Sequence, residues 1–242
     1  MNKYFFLLVM SVFHFVCSSA RGDVGRSDCE ILLQDSVKRK TKVPEFIPRK
    51  KGNLYGFVNQ AGQFVIPPVY SNVSFFGEDC RLIASPNESV RQYGDSSYAT
   101  VSKGDKDYRI DKMGREVYAY ESKDLVPCKL SYTPQTYTAF KRKNLYGIFK
   151  RGKDKIGKTN TIYIIEPTYE YLHIMEGNDV DCPMIVAVKN DKFGVIDISG
   201  NVVVPFIYSE IKRNYSWKLA GLFEVSLNGK DYFYVDDKNK KY

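Results

Sequence analysis

Residues 152–159 read Gly-Lys-Asp-Lys-Ile-Gly-Lys-Thr, which meets the glycine, lysine and threonine spacing of a phosphate-binding loop letter for letter. In that chemistry backbone amides cradle the phosphates, Lys158 reaches the outer phosphate, and the Thr159 hydroxyl holds magnesium. The arrangement requires the threonine to open a helix whose N-terminal amides face the anion. Here Thr159 leads instead into Asn-Thr-Ile-Tyr-Ile-Ile and then Pro167, a β-branched run. The segment is therefore expected to be an expanded turn between two strands with a lysine-rich tip, and the sequence leaves open whether that tip contacts an anionic group. A nucleotide- or phosphate-binding enzyme using this 152–159 loop is the last of three functional readings.

Other reactive constellations are thinner. Beyond residue 20 the only histidine is His173, and a serine or cysteine nucleophile normally needs a positioned base. Asp105, Asp107 and Asp111, and the pair Asp179 and Asp181, lack the spacing and turn glycine of a calcium loop. Paired carboxylates for glycosidic chemistry can meet from distant positions, but nothing selects a pair. No catalytic, cofactor-binding or metal-ligating residue is assigned, and a non-enzymatic protein is expected.

The elements that carry these side chains follow from the rest of the chain. Its 242 residues are 43% hydrophobic and 14% aromatic, with 19 Tyr and 15 Phe, which excludes disorder. Glycine and proline, at 17 and 10, are too few for a low-complexity chain but enough for many turns. The N-terminus has Lys3, then an apolar run from Tyr4 to Cys17 broken only by Ser11 and His14, then Ser18, Ser19 and Ala20. A bilayer span needs about 20 apolar residues, so this reads as a secretory signal peptide cut after Ala20. No other segment is apolar enough to span a membrane. A secreted or periplasmic location is thus expected, and with it disulfides. Cys29, Cys80, Cys128 and Cys182 are the candidates, and their connectivity is not fixed by the sequence.

Residues 46–242 are repetitive. A lysine-rich turn followed by an aromatic recurs at Tyr55, Tyr108, Tyr146, Phe193 and Tyr232, with spacings of 53, 38, 47 and 39 residues. In three copies a glycine follows, at Gly56, Gly147 and Gly194. A second turn comes next, with glycine at Gly62, Gly114 or Gly200. A β-branched run, proline and tyrosine then follow, as in Phe64-Val-Ile-Pro67-Pro-Val-Tyr70, Ile164-Ile-Glu-Pro167-Thr-Tyr169 and Val202-Val-Val-Pro205-Phe-Ile-Tyr208. Each unit reads as three strands, with proline closing the last ladder. Residues 21–45 stand outside the repeats as a short helix at 27–33, opened by a capping box at Ser27, and a basic linker.

This pattern resembles the WG-repeat family, also called KWG repeats, over about residues 46–242. Every family tryptophan position holds Tyr or Phe here, and the one tryptophan, Trp217, falls outside the pattern. The resemblance implies an exported or surface β-repeat protein and no catalytic residues. A lone three-stranded unit is marginal in water, so the units must stack on one another. The expected fold is all-β, an array of antiparallel three-stranded repeats forming a curved meander or solenoid, with a five-bladed propeller as the alternative. The anchor rings are expected to lie inward and the last copy to act as a terminal cap. The expected function is a scaffold or binding module for an envelope protein or an anionic polysaccharide, with a structural spacer second. No cofactor and no nucleic acid partner are expected.

Overall fold

A computed structural model of the chain describes residues 43–129, 134–153, 159–176 and 180–242. The expected signal peptide at 1–20, the expected helix at 27–33 with Cys29, the expected basic linker before residue 43, Asp179 and the tip of the 152–159 loop lie outside the described residues. Among the described residues seventeen strands make five antiparallel sheets. Sheet 1 has β1 (Ile47–Lys51), β2 (Leu54–Val58) and β3 (Phe64–Tyr70). Sheet 2 has β4 (Asn72–Phe76), β5 (Ala99–Lys103), β6 (Lys106–Ile110) and β7 (Glu116–Ala119), with two single-turn helices, α1 (Cys80–Ile83) and α2 (Glu88–Arg91), inserted after β4. Sheet 3 has β8 (Tyr137–Arg142), β9 (Leu145–Lys153) and β10 (Thr159–Tyr169). Sheet 4 has β11 (Tyr171–Ile174), β12 (Ile185–Lys189), β13 (Lys192–Ile196) and β14 (Val202–Tyr208). Sheet 5 has β15 (Glu210–Ile211), the short helix α3 (Ser216–Ala220), β16 (Phe223–Ser226) and β17 (Tyr232–Val235).

The repeated residues map onto repeated backbone needs. The first hairpin turn of each unit uses positive φ, supplied by Gly52, Gly104, the pairs Lys143–Asn144 and Asn190–Asp191, and Gly229, as tight hairpins require. At the second turn the side chains of Asn59, Asp111, Asp197 and Asp236 accept from amides two to four residues on. The left-handed position that follows is Gly62, Gly114, Gly200 or Asn239.

The glycine after the anchor and the downstream proline are a matched pair. In sheet 1, Tyr55 pairs with Tyr70 and Phe57 with Ile66, so three residues of β3 stand opposite Gly56 alone. Sheets 3 and 4 repeat this, with Glu166, Pro167 and Thr168 opposite Gly147, and Pro205, Phe206 and Ile207 opposite Gly194. The bulge swings the strand over the glycine, and a Cβ at Gly56, Gly147 or Gly194 would lie 2.4, 2.5 or 2.8 Å from the carbonyl oxygen of Ile66, Ile165 or Val204. In sheet 2 this bulge is missing, Arg109 pairs directly with Tyr118, and a side chain fits. Proline therefore sits inside an edge strand at a bulge, where no ladder donor is missed, and does not end the ladder as the sequence suggested.

One residue then carries the chain into the next sheet. Ser71, Glu170 and Ser209 each follow the tail tyrosine, and each donates its amide to the adjoining hairpin. The strands that begin there, β4, β11 and β15, add a first strand to the sheets they join, so sheets 2 and 4 have four strands where three were read. No turn signal precedes them, which is why they merged with the tail motif in the sequence.

Among the described residues four apolar clusters join neighbouring sheets. They lie between sheets 3 and 4 (Ile148, Ile185, Ile196), 4 and 5 (Val195, Tyr208, Phe223, Val225), 5 and 1 (Leu222, Tyr234, Ile47, Val58), and 1 and 2 (Phe57, Ile66, Tyr70, Val101, Ile110). The packed order is 3–4–5–1–2, so the first and last units are neighbours. The last copy is not a solvent-facing cap: Tyr242 is buried in the seam with unit 1, its carbonyl accepts from Arg49, and Phe75 and Tyr234 meet edge to face at 5.4 Å. The anchor rings are half-buried. The core instead takes the residue two positions on, Phe57, Ile110, Ile148 and Val195, because those share the anchor's face but stand further from the open hairpin end.

Candidate functional site

Half-burial leaves ring faces available, and cations lie over them. Lys50 and Tyr55, and Lys141 and Tyr146, are direct cross-strand partners, and each ammonium sits 5.5 Å from the ring centre. In unit 5 Lys212 lies 4.3 Å from the Tyr232 ring. Such contacts hold a flexible lysine over a flat apolar face while its charge stays in water.

Across sheets 3, 4 and 5 these groups merge into one strip. Tyr171 opens β11 one residue after the crossing at Glu170, and its ring meets Tyr146 at 6.1 Å, edge to face. Arg213 follows β15 and reaches back to sheet 4, where its Nη1 donates to the Tyr171 hydroxyl at 2.6 Å and its guanidinium lies 5.5 Å from that ring. Among the described residues neither Lys141 nor Arg213 has a carboxylate within salt-bridge distance. Lys212 is different, since Glu210 holds it at 2.9 Å. The Tyr232 hydroxyl and Lys212 together hold the Glu210 carboxyl below its ordinary range. His173 stands two residues from Tyr171 on the same face of β11, and burial, with the nearby Arg213 charge, lowers its pKa. The strip thus offers two aromatic faces and uncompensated cations, a surface for a ligand with apolar ring faces and negative groups.

The sequence pointed to Tyr146, Tyr55 and Tyr232 as packing anchors and missed Tyr171 and Arg213. Tyr171 was visible only as a second tyrosine in Tyr169-Glu-Tyr, and Arg213 carried no signal, because a crossing between sheets brings it in.

A second polar cluster fastens the insertion of sheet 2. Arg109, 1% exposed, donates to the carbonyls of Tyr93, Gly77 and Asp95 at 2.7–2.8 Å and to Thr100 at 3.1 Å. The Tyr120 hydroxyl bonds Asp79 at 2.5 Å and Thr100 at 2.9 Å, and Arg81 closes the group with two bonds to Asp79. Burial, then the Asp79 bond, pushes the Tyr120 phenol up to about 12. Burial alone would raise Asp79, but the bonds from Arg81 and Tyr120 outweigh it and keep its carboxyl below the ordinary value. Each group here is spent on a protein partner, which makes the cluster structural.

Cys80 and Cys128 form a disulfide with Cα atoms 5.5 Å apart, and Cys182 is also disulfide-bonded. Asp79, Cys80 and Cys128 have metal-ligand proximity, but both sulfurs are consumed in the bond. The 152–159 loop joins β9 to β10, with Thr159 paired to Lys153, so a strand stands where the phosphate motif needs a helix. Asp111 is engaged in its own turn and Asp107 accepts from Ser102, so neither aspartate faces an open loop. Asn87 caps α2 and donates to Asp124. Among the described residues no helix is long and apolar enough to cross a membrane.

Five small antiparallel sheets built from one recurring strand–turn–strand plan define a β-repeat protein. The model for the WG containing repeat matches residues 55–83 and 193–230, and both matches begin on an anchor ring, Tyr55 and Phe193. Two units of the chain are thus matched as WG repeats, which supports a repeat-containing binding or structural module. No curated protein and no solved structure matches it.

Proposed function

We propose that this protein is an exported, non-enzymatic binding module whose Lys141–Tyr146–Tyr171–Arg213 strip takes an anionic polysaccharide. The observation that carries the reading is the pairing of half-exposed rings with unneutralised cations across three adjoining sheets. A sugar ring has an apolar C–H face that packs on an aromatic face, and an acidic sugar adds a carboxylate or sulfate that a guanidinium binds in a directional, charge-assisted way. Both features recur at the spacing of sheets, as a polymer demands and a small substrate does not. Export rests on the N-terminal sequence, whose charged start, short apolar run and small residues before position 21 fit a cleaved leader. The formal charge of +8 draws polyanions from a distance.

Polygalacturonate, with neutral dextran as control, tests this by isothermal titration. Polygalacturonate is expected to bind and to weaken with added salt, while dextran does not bind. Tyr171→Ala combined with Arg213→Ala should lower affinity at least about tenfold, the equivalent of roughly 1.4 kcal/mol. Binding that ignores both substitutions would remove the strip from the function. An absence of binding to any polyanion would favour the spacer reading, in which the sheets serve only to hold neighbours apart.

A further inference from the structure

The outer edge of sheet 3 differs from those of its sister sheets. β3 and β14 run three residues, Phe64 to Ile66 and Val202 to Val204, before proline interrupts them, and β7 carries Glu116. Proline, charge and bulges are the usual means of keeping an exposed edge from pairing with another chain. β10 is 11 residues long, and from Asn160 to Ile165 it has neither proline nor charge. Among the described residues it pairs only with β9, so its other side offers open amides and carbonyls. Its pairing with β9 is regular from Thr159 to Tyr163, opposite Lys153 to Phe149, and bends at a bulge only after Tyr163. One face of this stretch carries rings. Tyr163, 54% exposed, lies 5.2 Å from Phe140, which lies 5.9 Å from Phe149, and the Arg151 guanidinium covers Phe149.

We infer that the free edge of β10 pairs with β10 of a second copy of this chain, antiparallel about a twofold axis at Thr161. An antiparallel edge of this kind is its own complement, and the regular stretch from 159 to 163 is centred on Thr161. The axis sets Thr161 against Thr161 of the second copy and Ile162 against Asn160, pairs that suit a sheet surface. It also extends the ring row at Tyr163 past its exposed flank. Charge does not oppose the union. Arg151 and its copy lie three strand spacings apart, about 14 Å at about 4.8 Å per step, beyond the roughly 8 Å screening length at physiological salt. The product is a six-stranded sheet, β8-β9-β10 continued by β10-β9-β8. It consumes the edge, so association stops at two copies. A five-residue strand pair buries less than the roughly 1,200 Å² of a standard interface, so the dimer is weak and its population follows concentration.

Sedimentation velocity over a dilution series of the purified chain tests this. The expected result is a reversible shift from one copy at the dilute end to two at the concentrated end. Thr161→Lys, which sets two ammonium groups face to face, should hold the protein at one copy with an unchanged far-ultraviolet spectrum. Val202→Lys, on the proline-bearing edge of sheet 4, should leave the association intact. Should Thr161→Lys fail to fold, Thr161→Cys decides the matter. It should form a covalent dimer on mild oxidation, while Ile162→Cys, which faces Asn160, does not. A single copy at every concentration, assembly beyond two copies, or a dimer that survives Thr161→Lys would each overturn the pairing.

Discussion

At the scale of single residues, the glycine of each unit matters for what it lets the chain do on the far side of the ladder. A methyl group at Gly56 would meet Ile66 O at 2.4 Å and the Pro67 carbonyl carbon at 2.7 Å, all of it backbone with no side chain to turn aside. Gly56→Ala is therefore expected to lower stability to urea by about 1–3 kcal/mol or more, the cost of forcing atoms into a packed site. Gly200→Ala is the control: it has the positive φ of +83° but open space around it, so only strain of about 1 kcal/mol is expected. Equal losses in the two variants would mean that the bulge yields easily and that glycine and proline are not a matched pair. The sequence displayed the glycine and the proline as neighbours in a motif but not their dependence on each other, because the bulge is a relation between strands. Arg109 illustrates the converse. It stands where three other units carry the glycine, yet it is among the most buried side chains of the protein, satisfied by carbonyls from the insertion between β4 and β5.

At the scale of elements, the hairpins were the legible part, since the lysine–asparagine–glycine turns and alternating runs have a local cause. The connection after β7 was not. It leaves Tyr120, passes a single 3-10 turn at Ser122–Asp124, and reaches Cys128, which is tied to Cys80 on α1. Val126 donates to the Arg81 carbonyl, and Asp124 accepts from Asn87 and Tyr118. No cluster of buried apolar residues joins sheet 2 to sheet 3 among the described residues, so these polar contacts and the disulfide fix the segment where burial does not. The bridge closes a span of 48 residues, for which loss of chain entropy in the unfolded state predicts a stabilisation of about 4 kcal/mol. Replacing both Cys80 and Cys128 by serine should lower the urea midpoint accordingly and open residues 121–129 to limited proteolysis, while the hairpins of sheets 4 and 5 stay protected. Cleavage that begins in sheets 4 and 5 instead would show that the bridge holds no separate element.

At the scale of the whole molecule, the contact between the first and last units changes how a disturbance should spread. In an open array each unit leans only on its sequence neighbours, so damage in unit 5 reaches unit 4 and then fades toward the N-terminus. In the packed order seen here, units 4 and 1 are both direct neighbours of unit 5, through separate clusters. Sequence periodicity could place the units but not close them, because nothing local to Ile47 or Tyr234 marks the other as its partner. Tyr234→Ala discriminates the two arrangements. The side chain is 8% exposed and packs on Phe75 and the unit 1 cluster, and truncating a buried large aromatic costs about 3–5 kcal/mol. Amide hydrogen exchange resolved by strand should then rise in β1 and β2 together with β16 and β17, although β2 ends at Val58 and β16 begins only at Phe223. Exchange in β8 and β9, two interfaces away, should rise least. If the increase instead ran from β17 back through β13 and reached β1 last, units 1 and 5 would be energetically independent, and the seam around Arg49, Phe75 and Tyr242 would contribute no closure.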